Sequence, residues 1–356
     1  GTGESCVGVA SRWFGDVPAT SESDDVAPTA WPVTSEGGHV DGVRLLIEAG
    51  AAIDEVDADG YTPLDAASHE GHVEVARLLI EAGAAIDKAR DDGCTPLLIA
   101  SHQGHMEVVR LLIEAGAAID KAKDDGRTPL YMASHKGHVE VVLLLIEAGA
   151  GIDKAMDDGA TPLYVASEQG HVDVARLLIE AGAAIDKARD DGATPLYIAS
   201  EKGHVDVARL LIEAGADIDK ARDGGGTPLC IASHQGQVDV ARLLIEAGAD
   251  IDKAMDGGCT PLFVASEKGH AEVARLLIEA GAAIDKAMDG GAIPLYTASE
   301  EGHLDVARLL VEAGAAIDKV MDDGATPLFI ASERGHLDVV RLLIEVGAAI
   351  DKAVDG

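Results

Sequence analysis

The tripeptide Thr-Pro-Leu recurs through this chain at Thr62, Thr95, Thr128, Thr161, Thr194, Thr227, Thr260 and Thr326, and Ile293 once replaces the Thr. The step is 33 residues throughout, with no insertion or deletion. Self-similarity at a fixed period of this size marks a repeat architecture, in which each unit is one small supersecondary element. The stretch Thr161 to Ala193, TPLYVASEQGHVDVARLLIEAGAAIDKARDDGA, serves as the type unit.

Within it, Thr161 suits a helix N-cap, because its hydroxyl can accept from an orphaned backbone N–H. Pro162 follows at the first helical position, where its fixed φ helps and its missing N–H costs nothing. Leu163, Val165 and Ala166 give this short helix an apolar side, and Gly170 can end it in a left-handed conformation. A second helix is predicted from Val172 to Ala181, with Val174, Leu177, Leu178 and Ala181 on one face. Gly182 ends it, and Asp190-Asp191-Gly192 signals a turn before the next Thr-Pro. Helices shorter than about 12–15 residues are marginal alone in water. Each unit therefore has to be sheltered by its neighbours, which predicts an elongated stack with nearest-neighbour contacts.

Asp-Gly-x-Thr-Pro-Leu, two small residues, Gly-His, Val-x-x-Leu-Leu and Gly-Ala together resemble the ankyrin repeat over about residues 35–356. The resemblance implies an all-α solenoid of stacked antiparallel helix pairs, whose linking segments project as β-hairpin or loop fingers. Two departures from the family pattern stand out. The His that usually follows Thr-Pro-Leu is replaced by Asp65, Leu98, Tyr131, Tyr164, Tyr197, Cys230, Phe263, Tyr296 and Phe329, predicting a mostly apolar or aromatic ladder. The Asn at the base of the finger is Asp throughout, as at Asp87, Asp120 and Asp186.

Composition agrees with a stack rather than a ball. Aromatics are only 3% of the 356 residues, too few for a globular core of this size but enough for layers of Leu, Ile, Val and Ala. A net charge of −35 argues against nucleic acid and anionic membrane as partners. Four cysteines, Cys6, Cys94, Cys230 and Cys259, follow no pairing rhythm, which points to a reduced, intracellular and cytoplasmic setting. No apolar run is long enough to span a bilayer.

Residues 1–28, rich in Gly, Ser, Asp and Ala, read as disordered or loosely packed, with Trp13-Phe14 and Trp31 as candidates to fold over the end of the stack. Residues 29–61 read as a degenerate N-terminal capping repeat, in which Trp31 takes the Leu place and Pro32 is expected to break the first helix. Residues 62–356 then form nine repeats, the last stopping inside its finger. The start at Gly and the absence of a polar terminal helix read as a fragment of a longer product.

No residue set calls for catalysis, a cofactor or a metal. His72, His105, His138, His171, His204, His270, His303 and His336 all follow Gly, and some form His-x-x-His with His69, His102 and His135. That spacing crosses a helix end and lacks a third ligand. The resemblance gives this His the role of fixing the turn between helices. Asp54, Asp57 and Asp59 touch a calcium-loop pattern, but Ala66 stands where its closing Glu belongs. Gly224-Gly225-Gly226 is followed by Thr-Pro rather than Lys-Thr. Ser68, Ser101 and Ser134 recur in every unit, unlike a catalytic group, which would appear once.

What remains is surface. Comparing the copies shows where the stack leaves the sequence free. On the finger these positions are Tyr61, Arg90, Lys123, Arg127, Met156, Arg189, Arg222, Met255, Met288 and Met321. At the end of the first helix they include His102, His135, Glu168, Glu201, Glu267 and Glu300. The resemblance places both sets on a concave, protein-binding groove. The reading is a monomeric, non-catalytic scaffold for a protein partner, one carrying a basic segment that prefers the Glu-rich C-terminal half. The alternatives are a mechanical spacer, or the repeat segment of a larger protein whose enzyme or membrane domain lies elsewhere. Leu143, where sibling units hold Arg, marks a possible small contact spot. Ile293→Thr is expected to stabilise by about 0.5–2 kcal/mol through the restored cap.

Overall fold

The computed structural model describes residues 30–350, so the readings placed on residues 1–28 and on the last finger lie outside the described residues. Those described residues form twenty helices and no strand. They alternate in length: the first helix of a unit has seven or eight residues and the second nine. The pair α9 (Pro162–Gln169) and α10 (Val172–Glu180) represents the rest.

Local chemistry sets the limits of each helix. The Thr161 hydroxyl accepts from the Tyr164 N–H at 3.1 Å, and Pro162 occupies the first turn. Gly170 stops α9 at φ 76°, a conformation that penalises any side chain. A Cβ there would also lie 2.7 Å from Nδ1 of His204 in the next unit, so glycine is required twice over. The Ser167 hydroxyl donates to the Leu163 carbonyl at 2.7 Å, within its own helix.

Packing distinguishes the two helices. In α9, Pro162 through Ser167 are all buried, because the helix lies between the first helices of both neighbours. In α10 only Val174, Ala175 and Leu178 are buried, and the opposite face meets solvent. Leu177, expected on the apolar face, is half-buried. Truncating a fully buried leucine such as Leu178 to alanine costs about 2–5 kcal/mol. The core is thus one continuous column running from Trp31 to Ala348.

The joints between units are fastened by the same hydrogen bonds, except that Lys154 Nζ pairs with Asp120 Oδ2 at 3.3 Å. Nε2 of His204 donates to the Glu168 carbonyl at 3.0 Å. The Ala184 N–H donates to Asp153 Oδ1 at 3.1 Å, and Lys187 Nζ donates to the Asp153 carbonyl at 2.7 Å. The Gly-His column is therefore a row of clamps. Where the sequence changes His to Gln237, its amide still donates to the equivalent carbonyl, Glu201 O, at 3.1 Å. The Asp at the finger base does for its neighbour's backbone what any side-chain carbonyl could do.

The fingers take the loop form. Arg189 N–H donates to the Ala193 carbonyl at 3.0 Å and Gly192 N–H to the Arg189 carbonyl at 2.9 Å, closing one tight turn with no ladder beyond it. The next donor, Asp190 N–H, goes sideways to Asp158 O of the preceding finger at 2.9 Å. A Cβ on Gly192 (φ 80°) would meet Asp223 N of the following finger at 2.9 Å.

Two expectations are adjusted. Helix α1 (Ala30–Glu36) runs through Pro32 rather than breaking there. Pro32 lies in the first turn, where its amide would have had no intrahelical acceptor. Trp31 is 2% exposed and belongs to the core column. Ile293 makes no side-chain cap, as its chemistry requires, and its helix α17 (Pro294–Glu300) is one residue shorter than its siblings. Yet Ile293 is only 1% exposed, so it contributes burial where the others contribute a cap.

Candidate functional site

The first helices approach one another more closely than the second helices do, so the row bends toward them. The inner side of that bend is floored by first helices and walled by the fingers. The variable positions fall along it in three rows.

The finger row carries cations up to Arg222, interrupted once by Met156, and methionine beyond. Arg90 lies over the Tyr61 ring, 3.9 Å from its centroid. Arg189 donates to the Tyr164 hydroxyl at 3.3 Å and pairs with Asp158 of the preceding finger at 3.0 Å. Arg222 repeats the bond to the Tyr197 hydroxyl at 3.3 Å. Lys123 lies 3.4 Å from Asp92, and Arg127 3.3 Å from Asp125. These side chains are half-buried, and Arg90, Lys123 and Arg189 each join two units before any partner arrives. Met156, Met255, Met288 and Met321 hold the same row and are also half-buried.

The floor is the row that replaces the family His. Leu98, Tyr131, Tyr164, Tyr197, Cys230, Phe263 and Tyr296 are all buried, as the expected apolar ladder requires, while Phe329 is 42% exposed. Burial pushes the Tyr164 hydroxyl up to about 12 against the opposing pull of Arg189. Asp65 is the outlier. It is fully buried, and its Oδ2 accepts from both the Thr62 N–H (2.9 Å) and the Thr62 hydroxyl (2.8 Å). Its other oxygen has no hydrogen-bond partner, and burial raises the carboxyl to about 6.

The helix-end row departs from expectation in one respect. Glu168, Glu201, Glu267 and Glu300 are half-buried at the groove edge, but His102 and His135 are buried, each 8% exposed. Burial first, and the Lys136 charge second, hold both imidazoles down to about 4, so both are neutral at neutral pH. The two imidazoles of this row are thus neutral and buried. Variation among copies marked these positions, but variation does not measure exposure.

The remaining reactive side chains are committed to bonds within the fold. Cys94 Sγ donates to Asp92 Oδ2 at 3.3 Å, and burial pushes its thiol up to about 12, far from a nucleophilic thiolate. Asp54 Oδ1 accepts from the Ala85 N–H, and Asp57 Oδ1 accepts from the N–H groups of Asp59 (2.9 Å) and Tyr61 (2.8 Å). Those oxygens brace turns. Among the described residues, no three His, Cys, Asp or Glu side chains are grouped so as to hold a metal ion. No described helix is long and apolar enough to cross a membrane. A cavity of about 230 Å³ opens at the N-terminal end of the groove between Glu36, Asp57, Tyr61 and His69.

What sequence reasoning missed is the pairing of finger with first helix. Tyr164 and Arg189 are 25 residues apart and appear unrelated until the stack brings finger over helix. An aromatic residue three places after the Thr, together with Arg three places after the finger's Asp, is the signal that could have found it.

Comparison with known proteins follows the geometry. A family model described as ankyrin repeats (3 copies) matches residues 83–156, 149–222, 219–288 and 284–353, and one described as ankyrin repeats (many copies) matches 35–80. Among solved structures, the human ASB11 ankyrin repeat domain is similar, with TM-score 0.58 and 26% identity over 63% of this chain and 99% of that one. No curated protein matches the chain.

Proposed function

Since the chain belongs to the ankyrin-repeat family, whose repeats serve generally as protein-interaction modules, we propose that it is a non-catalytic scaffold holding a protein partner in its concave groove. The observation carrying this is a contrast among the copies. Joint-forming residues such as Leu178, Gly170 and Asp153 are repeated almost without change, while the finger and helix-end rows vary. Drift alone would scatter variation over the exposed outer face of the second helices as well. The exposed Arg and Glu of that face instead recur in the run Arg-Leu-Leu-Ile-Glu with few exceptions, Leu143 among them.

The partner we propose carries a basic segment, set against the Glu-rich C-terminal half, and the chain acts as a monomer within the cell. Half-buried side chains that already bridge two units, such as Arg189, lose little freedom on contact, which favours affinity. Arg and Tyr are also the side chains that most often dominate interface energies.

The test is capture from an extract by the full chain and by two variants. One carries Arg189→Ala with Arg222→Ala in the groove, and the other carries Arg176→Ala with Arg209→Ala on the outer face. The proteins retained by the full chain should be lost from the groove variant and kept by the outer one. Equal retention by both variants refutes groove binding. Charge reversal at Glu300 and Glu301 that leaves partner affinity unchanged refutes the basic segment.

A further inference from the structure

The finger row changes chemistry after Arg222. Met255, Met288 and Met321 stand on three consecutive fingers, where Arg90, Lys123, Arg189 and Arg222 stand earlier. The change removes the built-in counterion: Arg189 pairs with Asp158, whereas a thioether neutralises nothing. Met255 Sδ lies over the preceding finger, 3.6 Å from where a Cβ on Gly226 would be. Met288, Met321 and Cys259 pack against the column that includes Phe263 and Tyr296, so the floor and this wall form one apolar trough.

Its other wall is acidic. Glu267, Glu300, Glu301 and Glu333 stand along the ends of the first helices, with only Lys268 (3.7 Å from Glu267) and Arg334 (2.7 Å from Glu300) beside them. The Tyr296 hydroxyl is raised by burial and further by Glu300, Asp323 and Glu333, which locates helix-end and finger-tip carboxylates around the same trough. Methionine is unbranched and polarisable, and fits side chains of varied shape. An apolar trough with a carboxylate rim complements an amphipathic segment that is apolar on one side and cationic at its margins.

We infer that residues 255–334 form a docking surface for a basic amphipathic peptide segment of a partner protein, its apolar side chains lying on Met255, Met288 and Met321 and its cations on Glu267, Glu300 and Glu333. The inference deepens the groove reading above and rests on it.

The test uses the full chain labelled with ¹³C at its methionine methyls, six in all. The probe is a helix-forming peptide of about 18 residues, five turns, with leucines at i, i+3, i+4 spacing and lysines elsewhere. Its twin carries glutamate for every lysine. The lysine peptide should shift the signals of Met255, Met288 and Met321 and leave Met106, on an outer helix, and the buried Met132 in place. The glutamate twin should move none of them. Glu267→Gln, Glu300→Gln and Glu333→Gln combined should weaken the lysine peptide about tenfold, as expected for three partly exposed ion pairs. Met288→Arg, which installs the residue that Arg189 and Arg222 hold at the same place on earlier fingers, should weaken it similarly. Equal shifts with both peptides, or none at the three methionines, overturn the inference. Shifts confined to Met156 would sink it while leaving groove binding intact, and shifts confined to Met106 would sink both.

Discussion

Asp65 permits a prediction whose size and pH dependence both come from the structure. The residue directly after Thr-Pro-Leu, or Ile-Pro-Leu, is apolar or aromatic in each of the other eight repeats, and Leu98 fills the equivalent place 33 residues on, fully buried. Asp65 is equally buried, with one oxygen lacking a partner, and its carboxyl is raised from 3.8 to about 6. A raised carboxyl means that the folded chain holds the proton more tightly than the unfolded chain. Asp65 therefore weighs least against folding below pH 3.8, and stability falls as pH rises from there through 6. A displacement of this size, from which the lowering by the Thr62 bonds has already been taken, corresponds to about 3 kcal/mol at neutral pH. Asp65→Leu removes the buried charge and the orphaned oxygen, at the cost of the two bonds that Oδ2 accepts from the Thr62 N–H and hydroxyl, about 1–2 kcal/mol together. The net expectation is a gain of about 1–2 kcal/mol at pH 7 that dwindles to zero or below by pH 4. Trp31, buried in the helix packed directly against Asp65's own, reports this region. In a Trp13→Phe background, urea unfolding followed by Trp fluorescence at the two pH values gives both numbers. A variant less stable than the parent at pH 7, or a difference that does not change with pH, refutes the reasoning.

Other expectations are more direct. His204→Gln should be nearly neutral, because Gln237 already shows the amide making the same bond, whereas His204→Ala should cost about 1–3 kcal/mol by stranding the Glu168 carbonyl; equal melting temperatures for the two would contradict it. Thr161→Val removes a cap at constant volume and should cost about 0.5–2 kcal/mol in chemical denaturation. Ile293→Thr regains that cap but surrenders about 1 kcal/mol of buried hydrocarbon, so its benefit shrinks to about 1 kcal/mol at most, and a loss above about 1 kcal/mol would refute this balance. His102 and His135 are held to about 4, so their contribution is intact above pH 6.5 and is lost as pH falls from there toward 4. The double variant His102→Gln, His135→Gln should flatten the acid side of the stability profile, and an unchanged slope between pH 6.5 and 4 would exclude these two residues as its cause.

What could be read from the sequence was what is decided locally. Thr161, Pro162 and Gly170 each act on backbone within one turn, so the helix limits follow from their chemistry. The stack follows from helices too short to stand alone. Contacts between units were less legible. His204 was visibly invariant, but its acceptor is a backbone carbonyl, and no sequence pattern marks a carbonyl. Arg189 reads as a free surface cation, yet its neighbours are an Asp from the preceding unit and a Tyr from its own. His102 and His135 were taken with the exposed groove because they vary, although the local packing buries them. Pro32 was judged by residue type, when its place in the turn decides what it does.

The fasteners between units have a further consequence for how such a chain can grow or shrink. Every clamp reaches only to the adjoining unit, at fixed separations of 31, 34 or 36 residues. Cutting out any 33 consecutive residues of the interior therefore rejoins each donor to an equivalent acceptor, wherever the cut falls in the unit. Duplication of such a block does the same in reverse. Recombination between copies can thus lengthen or shorten the rod in whole steps with every joint still made, and only changes out of phase with the period leave a clamp grasping nothing.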